Sequence, residues 1–382
     1  MFFIEQKKGL RMTTEKNNVK ISQTAESLVK EVEVHIDLSI VIIGRNEALR
    51  LEKAIESAIL AGNLTEKIYE IIYVDSASTD NSTSIAERYP ISVIKIEPKQ
   101  WVCAAAGRTI GFRFSRGDHI AFLDGDMICD PLWFSHALTI FSKSNRKIGG
   151  VVGNRTDIDI LSGSPIGSRE FKSGVVDIIN IGGASVMSRK ALSKSGGFDP
   201  YLISFEEREL AQRITNVGFS IIGVPHAMVC HYRLKSGIAE ILRRGNAGYR
   251  IGYGQYIKRL LIRGRIGIAL RETKVQIAFW ICVMGFVAIV SVAVLRKSSW
   301  MALLAITTVP IAVMIFVIRL KQFTQGIIYF ITQPLITKGL IQGLFRPIPR
   351  EIYNPKLSWV RRGITLPILV PIEESMLSKT AK

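Results

Sequence analysis

Short apolar runs rich in β-branched residues alternate with helical patterns between residues 38 and 124. Runs of this kind are typical of strands that are buried on both faces. Strands that alternate with helices at this spacing predict an α/β fold with a doubly wound, mostly parallel sheet. The predicted strands are residues 38–43, 70–74, 91–95 and 119–123, and the predicted helices are residues 47–60, 82–89 and 104–114.

Three of these predicted strands end at a permissive or acidic residue. Gly44, Asp75 and Asp124 each stand at the carboxyl end of their strand. Ligands of open α/β sheets bind beyond the carboxyl ends of the strands. We therefore expect a ligand site at this edge of the sheet.

The C-terminal third contains long runs without a charged residue. Residues 275–295 form one run of 21, and residues 300–318 form another of 19 that Pro310 interrupts. A hydrocarbon core of about 30 Å needs about 20 helical residues, so both runs are predicted to span a membrane, with a buried core helix as the alternative. Residues 326–345, which contain Pro334 and Lys338, fit a third span or an interfacial or re-entrant helix.

Positive charge is concentrated just before the first predicted span. The chain has 50 Lys and Arg against 32 Asp and Glu, and residues 233–274 alone hold eleven basic and two acidic residues. Basic residues interleaved with apolar ones are typical of an amphipathic element on the cytoplasmic leaflet, with a solvated basic helix as the alternative. The positive-inside rule then predicts a multi-pass protein of the inner or plasma membrane with a cytoplasmic N-terminal domain.

These changes of composition divide the chain into five predicted segments. A nucleic-acid partner is not expected, because the basic segment offers few aromatic side chains for stacking bases. The four cysteines form no Cys-x-x-Cys pair, which argues against a zinc ribbon or a dithiol site. The segments are an N-terminal extension (1–36), an α/β domain (37–232), the basic segment (233–274), the membrane helices (275–345) and a C-terminal tail (346–382).

Two carboxylates, Asp124 and Asp126, flank Gly125 directly after a predicted buried strand. Ionised carboxylates in such a position need a cation or several hydrogen-bond donors. Mg²⁺ and Mn²⁺ bind carboxylate oxygens and complete their coordination with water and phosphate oxygens. The pair therefore predicts a divalent cation that holds a diphosphate, with a simple turn as the alternative.

Four motifs in chain order complete the evidence from the sequence. They are SIVIIGRNE (39–47), EIIYVDSASTD (70–80), Asp124-Gly125-Asp126, and Gly196-Gly197-Phe198-Asp199 followed by Glu206-Glu207-Arg208-Glu209-Leu210 and Arg213. Together they resemble the motifs of the family 2 nucleotide-sugar glycosyltransferases, which have the GT-A fold. The resemblance covers roughly residues 38–232.

The resemblance implies a nucleotide-sugar donor, a UDP-sugar first among the candidates, and Mg²⁺ or Mn²⁺ as cofactor. Asp75 would accept a hydrogen bond from the nucleobase, and the turn 44–47 would lie against the nucleoside. Arg108 would contact the diphosphate. The donor-binding residues implied in this way are Gly44, Asn46, Glu47, Asp75, Ser78, Arg108 and Asp124. The implied metal ligands are Asp124, Asp126 and His231.

The resemblance also implies the catalytic residues, Glu207 with its neighbour Glu206. Glu207 stands where the family often has Asp, so its carboxylate is displaced by about one methylene group. It would take the proton from an acceptor hydroxyl as the sugar is transferred with inversion. The acceptor would be a lipid-linked or cell-envelope glycan. The alternatives are a polyprenyl-phosphate sugar synthase and a non-catalytic, nucleotide-sugar-binding scaffold subunit.

Each of these residues also has a simpler structural interpretation. Asp75 would cap the following helix, Arg108 would form a surface ion pair, and His231 would be a buried, hydrogen-bonded histidine. Glu206 and Glu207 would lie in the solvated first turn of a helix. The sequence leaves these alternatives open.

Overall fold

A computed structural model describes residues 34–172, 174–234, 247–297, 299–300, 307, 314, 323–349 and 351–363. The elements below belong to the unit Ile36–Lys382. The strands are β1 Leu38–Gly44, β2 Tyr69–Asp75, β3 Ser92–Ile96, β4 His119–Asp124, β5 Met127–Cys129, β6 Ile148–Asp159, β7 Pro165–Arg169, β8 Val176–Asp177, β9 Ser185–Ser188, β10 Ser220–Arg233 and β11 Leu357–Arg361. The helices are α1 Leu51–Asn63, α2 Ser82–Ala86, α3 Ala104–Phe114, α4 Trp133–Lys143, α5 Arg189–Ser195, α6 Glu206–Asn216, α7 Ala247–Ile262, α8 Ile266–Leu295 and α9 Phe323–Phe345.

The strands of the described residues form one sheet in the order β11-β3-β2-β1-β4-β9-β6-β10-β5, with β7 on β6 and β8 on β10. Strands β3, β2, β1 and β4 are parallel to one another, and β6 is parallel to β10. The predicted α/β fold with a doubly wound, mostly parallel sheet is thereby confirmed. The four predicted strands and helix 104–114 are present, whereas the first predicted helix begins at Leu51 rather than at residue 47.

The register of the central strands brings the predicted site residues to one edge. Gly44 pairs with Asp75 across β1 and β2, and Ile43 pairs with Asp124 across β1 and β4. Because β1, β2 and β4 run in the same direction, their carboxyl ends meet there. The apolar residues of β1 and β2 are buried below this edge between helices on both faces.

Helix α7 lies in the basic segment and packs against α9 and the α/β domain. Gly343 of α9 permits the crossing, since a Cβ there would lie 2.1 Å from the Ile251 carbonyl oxygen. Arg259 of α7 is buried and pairs with Asp199 at 2.7 Å, and Arg263 pairs with Glu209. These two arginines are therefore held by carboxylates of the α/β domain, and the placement of the basic segment on a bilayer surface stays a prediction.

Helix α8 is, among the described residues, the one helix long and apolar enough to cross a membrane. It contains the predicted span 275–295 and extends nine residues further toward the N-terminus, into the basic segment. The predicted span 300–318 lies almost wholly outside the described residues. The third predicted stretch, 326–345, forms most of α9, with Pro334 inside the helix.

The C-terminal tail contributes a strand that we did not predict from the sequence. Strand β11 pairs antiparallel with β3 and completes that side of the sheet. Trp359 of β11 contacts Phe114 edge to face, with the ring centroids 5.0 Å apart. The tail thus covers what would otherwise be an exposed strand edge.

Candidate active site

Hydrogen bonds join the two turns that follow β1 and β2. Asn46 has a φ of 60°, and its backbone N–H donates to Ser78 Oγ at 2.9 Å. The Asn46 side-chain oxygen accepts from the backbone N–H of Thr79 at 2.8 Å. Asn tolerates this left-handed conformation better than most residues. Two of the predicted donor-binding residues, Asn46 and Ser78, therefore hold the turns together.

Asp75 lies beneath these turns, at 0% exposure. One of its oxygens accepts from the Ser78 backbone N–H at 2.8 Å, and the other lies 3.2 Å from the Tyr73 hydroxyl, which donates to it. Asp75 therefore closes the turn in this structure. A contact between Asp75 and a nucleobase stays a prediction, and it would require the turn to move.

A cleft of about 290 Å³ opens above the carboxyl ends of β1 and β4. Glu47 enters it beside the acid pair. Burial first, and then the charges of Asp126 and Asp124, raise the pKa of Glu47 to about 7. The cleft is lined by Ile43, Gly44, Arg45, Glu47, Ser76, Val102, Cys103, Ala104, Asp124 and Asp126.

Arg108 of α3 joins one side of this site to the other. Its side chain is 2% exposed and lies 2.7 Å from a carboxylate oxygen of Asp124, 2.7 Å from one of Glu206 and 3.4 Å from one of Glu207. The residue is therefore not in a surface ion pair. Its contact with a diphosphate stays a prediction, because the guanidinium is directed at carboxylates here.

The carboxylates around Arg108 outnumber its single positive charge. Burial first, and then the charge of Glu207, raise the pKa of Glu206 to about 8 against the opposing effect of Arg108. Burial also raises the pKa of Asp124 to about 6, although Arg108 lowers it. The raised pKa values of Glu206 and Asp124 thus reflect burial and the crowding of negative charge around one arginine.

The two glutamates predicted to be catalytic lie in the first turn of α6, which is not freely solvated. The side chain of Glu206 is 5% exposed and that of Glu207 is 19% exposed. Phe205 precedes them with a φ of 64° and stacks on Tyr256 of α7, with the ring centroids 5.7 Å apart. This conformation is costly for a non-glycine residue, so the packing of Phe205 holds the first turn of α6 in place.

Asp126, His231 and Asp157 form a chain of contacts next to the cleft. His231 Nε2 lies 3.1 Å from Asp126 Oδ2, and Nδ1 lies 3.1 Å from Asp157 Oδ1. Burial lowers the pKa of His231. The hydrogen bond and charge of Asp126 and the hydrogen bond to Asp157 outweigh this effect, so the pKa is raised above its ordinary value. His231 therefore orients Asp126.

The other carboxylate oxygen of Asp126, Oδ1, is buried without a hydrogen-bond partner. A buried carboxylate oxygen in this state needs a cation or a donor. Over the described ranges, no three His, Cys, Asp or Glu side chains converge as a complete metal site. A cation at Asp126 would thus take further oxygens from a ligand or water, as Mg²⁺ does with phosphates.

Sequence reasoning missed Asp157 and the arginines around it. Arg155 lies 3.0 Å from Asp157, and Arg233 lies 3.2 Å from it. Burial raises the pKa of Asp157, but Arg155 and the bonds to His231 and Arg233 lower it below its ordinary value. The available signal was the alternation of charged residues at 155, 157 and 159, which puts all three on one face of a strand.

Comparison with known proteins finds similar glycosyltransferases. The family model described as "Glycosyl transferase family 2" matches residues 39–196. Glycosyltransferase AglE of Haloferax volcanii is 26% identical over 264 residues, which are 65% of this chain and 81% of AglE. The O-antigen chain rhamnosyltransferase WbaN of Salmonella anatum is 24% identical over 231 residues, which are 56% of this chain and 72% of that protein.

A solved structure shares the fold over most of both chains. It is the mannosyltransferase PcManGT from Pyrobaculum calidifontis in complex with GDP-Man and Mn²⁺. The TM-score is 0.54 at 16% sequence identity, and the match covers 86% of this chain and 94% of the other. The likeness extends beyond the family match into the helices that follow the sheet.

Proposed function

Since a model of glycosyl transferase family 2 matches residues 39–196 and the relatives found are glycosyltransferases, we propose that this chain is a membrane-anchored, inverting glycosyltransferase. It transfers a sugar from a nucleoside-diphosphate sugar to a hydroxyl group of a lipid-linked or cell-envelope glycan. One observation carries the proposal: buried Arg108 joins Asp124, beside the cleft, to Glu206 and Glu207 on α6. Asp124 on the donor side and the proposed base, Glu207, on the acceptor side are thereby held in one rigid cluster.

The donor site of this proposal is the cleft beside Asp124 and Asp126. The buried, unpartnered Asp126 oxygen fits a divalent cation, with Asp124 beside it and His231 orienting Asp126. A bound Mg²⁺ or Mn²⁺ supplies positive charge for the departing diphosphate. The Mn²⁺ and GDP-Man in the related mannosyltransferase structure support this assignment.

The acceptor base of this proposal is Glu207. It is the more exposed of the two adjacent glutamates, and Arg108 lies 3.4 Å from its carboxylate. Because Glu206 is buried and paired with Arg108 at 2.7 Å, Glu207 is the carboxylate left accessible to accept a proton from the acceptor hydroxyl. A single base of this kind is what inversion by direct displacement requires.

Membrane attachment through α8 supports a lipid-linked or envelope acceptor. Basic residues lie at the N-terminal end of α8, where the positive-inside rule places the cytoplasm. In this proposal the donor comes from the cytoplasm. The assignment of WbaN to an O-antigen chain is in line with an envelope glycan.

The test is a donor screen with the full-length protein in detergent. Release of nucleoside diphosphate is followed across UDP-, GDP- and dTDP-sugars with Mg²⁺ or Mn²⁺, and the product anomer is read by NMR. Glu207→Gln should lower turnover by about 10²- to 10⁴-fold with nucleotide binding retained. Glu52→Gln, on the exposed surface of α1, is the matched control and should keep wild-type turnover.

Three results would contradict the proposal. If Glu207→Gln kept its turnover within twofold, the acceptor would be a phosphate that needs no base, as in a polyprenyl-phosphate sugar synthase. If nucleotide bound but no donor were turned over, the protein would be a non-catalytic binding subunit. A product with retained anomeric configuration would exclude inversion.

A further inference from the structure

Arg169, at the end of β7, is a half-buried cation with an unusual set of partners. Over the described ranges it forms no ion pair with a carboxylate. Its guanidinium donates to the backbone carbonyls of Asn180 at 3.3 Å and Ile181 at 3.1 Å, and its Nε is buried without a partner. It lies over the ring of Phe171 at 5.9 Å. Charges in such surroundings are normally paired with an opposite charge.

Arg169 lies beside two further arginines. Burial and the charge of Arg155 lower the pKa of Arg169 to about 10, against the opposing charges of Glu207 and Asp157. Arg155 and Arg233 share one carboxylate, Asp157, which also contacts His231. Because Asp157 is engaged by these side chains, no direct carboxylate contact among the described residues compensates the charge of Arg169.

The loop at residues 181–183 places Arg169 close to the proposed reaction centre. A Cβ on Gly182, whose φ is 75°, would lie 3.0 Å from the Arg169 guanidinium. A Cβ on Gly183 would lie 2.2 Å from Asp124 Oδ2. Arg169 and Asp124 thus lie against consecutive glycines of one loop, and the charge of Glu207 acts on Arg169. Arg169 is outside the set of residues that line the nucleotide cleft.

We propose that Arg169, supported by Arg155, forms a subsite for an anionic oxyacid group carried by the acceptor. This inference rests on the proposed function, because it needs an acceptor that approaches Glu207. A planar guanidinium offers paired N–H donors that match the oxygens of a phosphate or a carboxylate. The group is either the phosphate that links an acceptor to its lipid or the carboxylate of an acidic sugar.

The first experiment measures anion binding without turnover. The full-length protein in detergent is saturated with UDP and Mg²⁺, so that the donor cleft is filled, and titrated with inorganic phosphate by ³¹P NMR. Arg169→Gln should weaken phosphate binding at least about tenfold, and Arg169→Lys, which keeps the charge but loses the paired N–H donors, should weaken it by less than Arg169→Gln does. Arg146→Gln changes an exposed arginine that pairs with Asp177 and is the matched control. UDP affinity, measured in the same samples, reports whether each variant is folded.

Two outcomes of this titration would overturn the inference. One is a wild-type protein that binds no phosphate while UDP is bound. The other is an Arg169→Gln variant that binds UDP and phosphate as the wild type does. Neither outcome depends on transfer, so a chain that binds phosphate at Arg169 but turns over no donor would contradict the proposed function alone.

The second experiment identifies the source of the anion. Acceptor analogues that carry a lipid phosphate, a uronic-acid carboxylate or no charge are compared at saturating donor. Arg169→Gln should raise the KM at least tenfold for the analogue with the recognised anion and leave the neutral analogue within twofold. A parallel rise in the KM of the donor would assign Arg169 to the donor site and refute the inference.

Discussion

Replacing Arg108 with Met removes a buried cation that faces the carboxylates of Asp124, Glu206 and Glu207. Met fills much of the same volume and adds no charge, so the substitution mainly tests electrostatics. Loss of one partner of a buried ion pair costs about 3–5 kcal/mol, because the remaining charge is left uncompensated. For a domain of 150–250 residues this corresponds to a fall of roughly 6–20 °C in melting temperature.

The loss of stability in Arg108→Met should depend on pH, and the carboxyl groups determine whether the loss grows or shrinks as the pH rises. The pKa of Glu206 is already raised to about 8 in the wild type, and without Arg108 the pKa values of the remaining carboxyls rise as well. A carboxyl with a raised pKa stabilises the fold fully below its unfolded pKa and loses that contribution as pH rises toward its folded pKa. Each such group costs up to about 1.4 kcal/mol per pH unit in that window.

The assay is thermal unfolding of the full-length protein in detergent at pH 5.5 and pH 8. Arg108→Met should be destabilised at both values and more strongly at pH 8. Arg88→Met is the control, since Arg88 is exposed and pairs with Glu52 at 3.3 Å, and such pairs contribute at most about 1 kcal/mol. A loss below about 1 kcal/mol at Arg108, or the same loss at both pH values, would refute the electrostatic account of this cluster.

Three further predictions concern other parts of the structure. Gly183→Ala puts a methyl group 2.2 Å from Asp124 Oδ2, so turnover should fall about 10²-fold, whereas Gly267→Ala, in open space, should leave it unchanged. Glu209→Gln leaves two arginines without their buried carboxylate, and urea unfolding should show a loss of about 3–5 kcal/mol; a loss below about 1 kcal/mol would contradict this. Trp359→Ala removes an edge-to-face ring contact, which should cost about 0.5–1.5 kcal/mol and increase amide exchange in β11; unchanged exchange would show that the tail strand is held by its backbone alone.

The parts of the fold that could be predicted from the sequence depend on neighbours along the chain. Residues 38–43 and 119–123 carry a continuous apolar pattern because both faces of their strands are covered. The Asp-Gly-Asp motif directly follows the second of these strands, so it too could be identified from neighbouring residues alone. For these elements burial alone selects the residue types, so the pattern is visible without a structure.

For single site residues, the sequence indicated the location in the fold more reliably than it indicated the contacts. Asp75, Asp124 and Glu47 lie at the predicted edge of the sheet, but Asp75 is fully buried there. Arg108 faces the carboxylates of Asp124, Glu206 and Glu207, which its position in the sequence did not indicate. Both differences arise because burial and pairing depend on elements that are distant along the chain.

Local sequence patterns were enough to predict the α/β class, the edge where the acidic residues gather and the apolar helix after the basic segment. Hydrophobic periodicity and strand ends carry that information locally. The three-dimensional packing was needed to show that Arg108 meets Glu206, 98 residues away, that Asp157 meets His231, 74 residues away, and that the tail returns to β3. Such contacts depend on which strands become neighbours and on how buried charges find partners, and both are settled only when the whole domain packs.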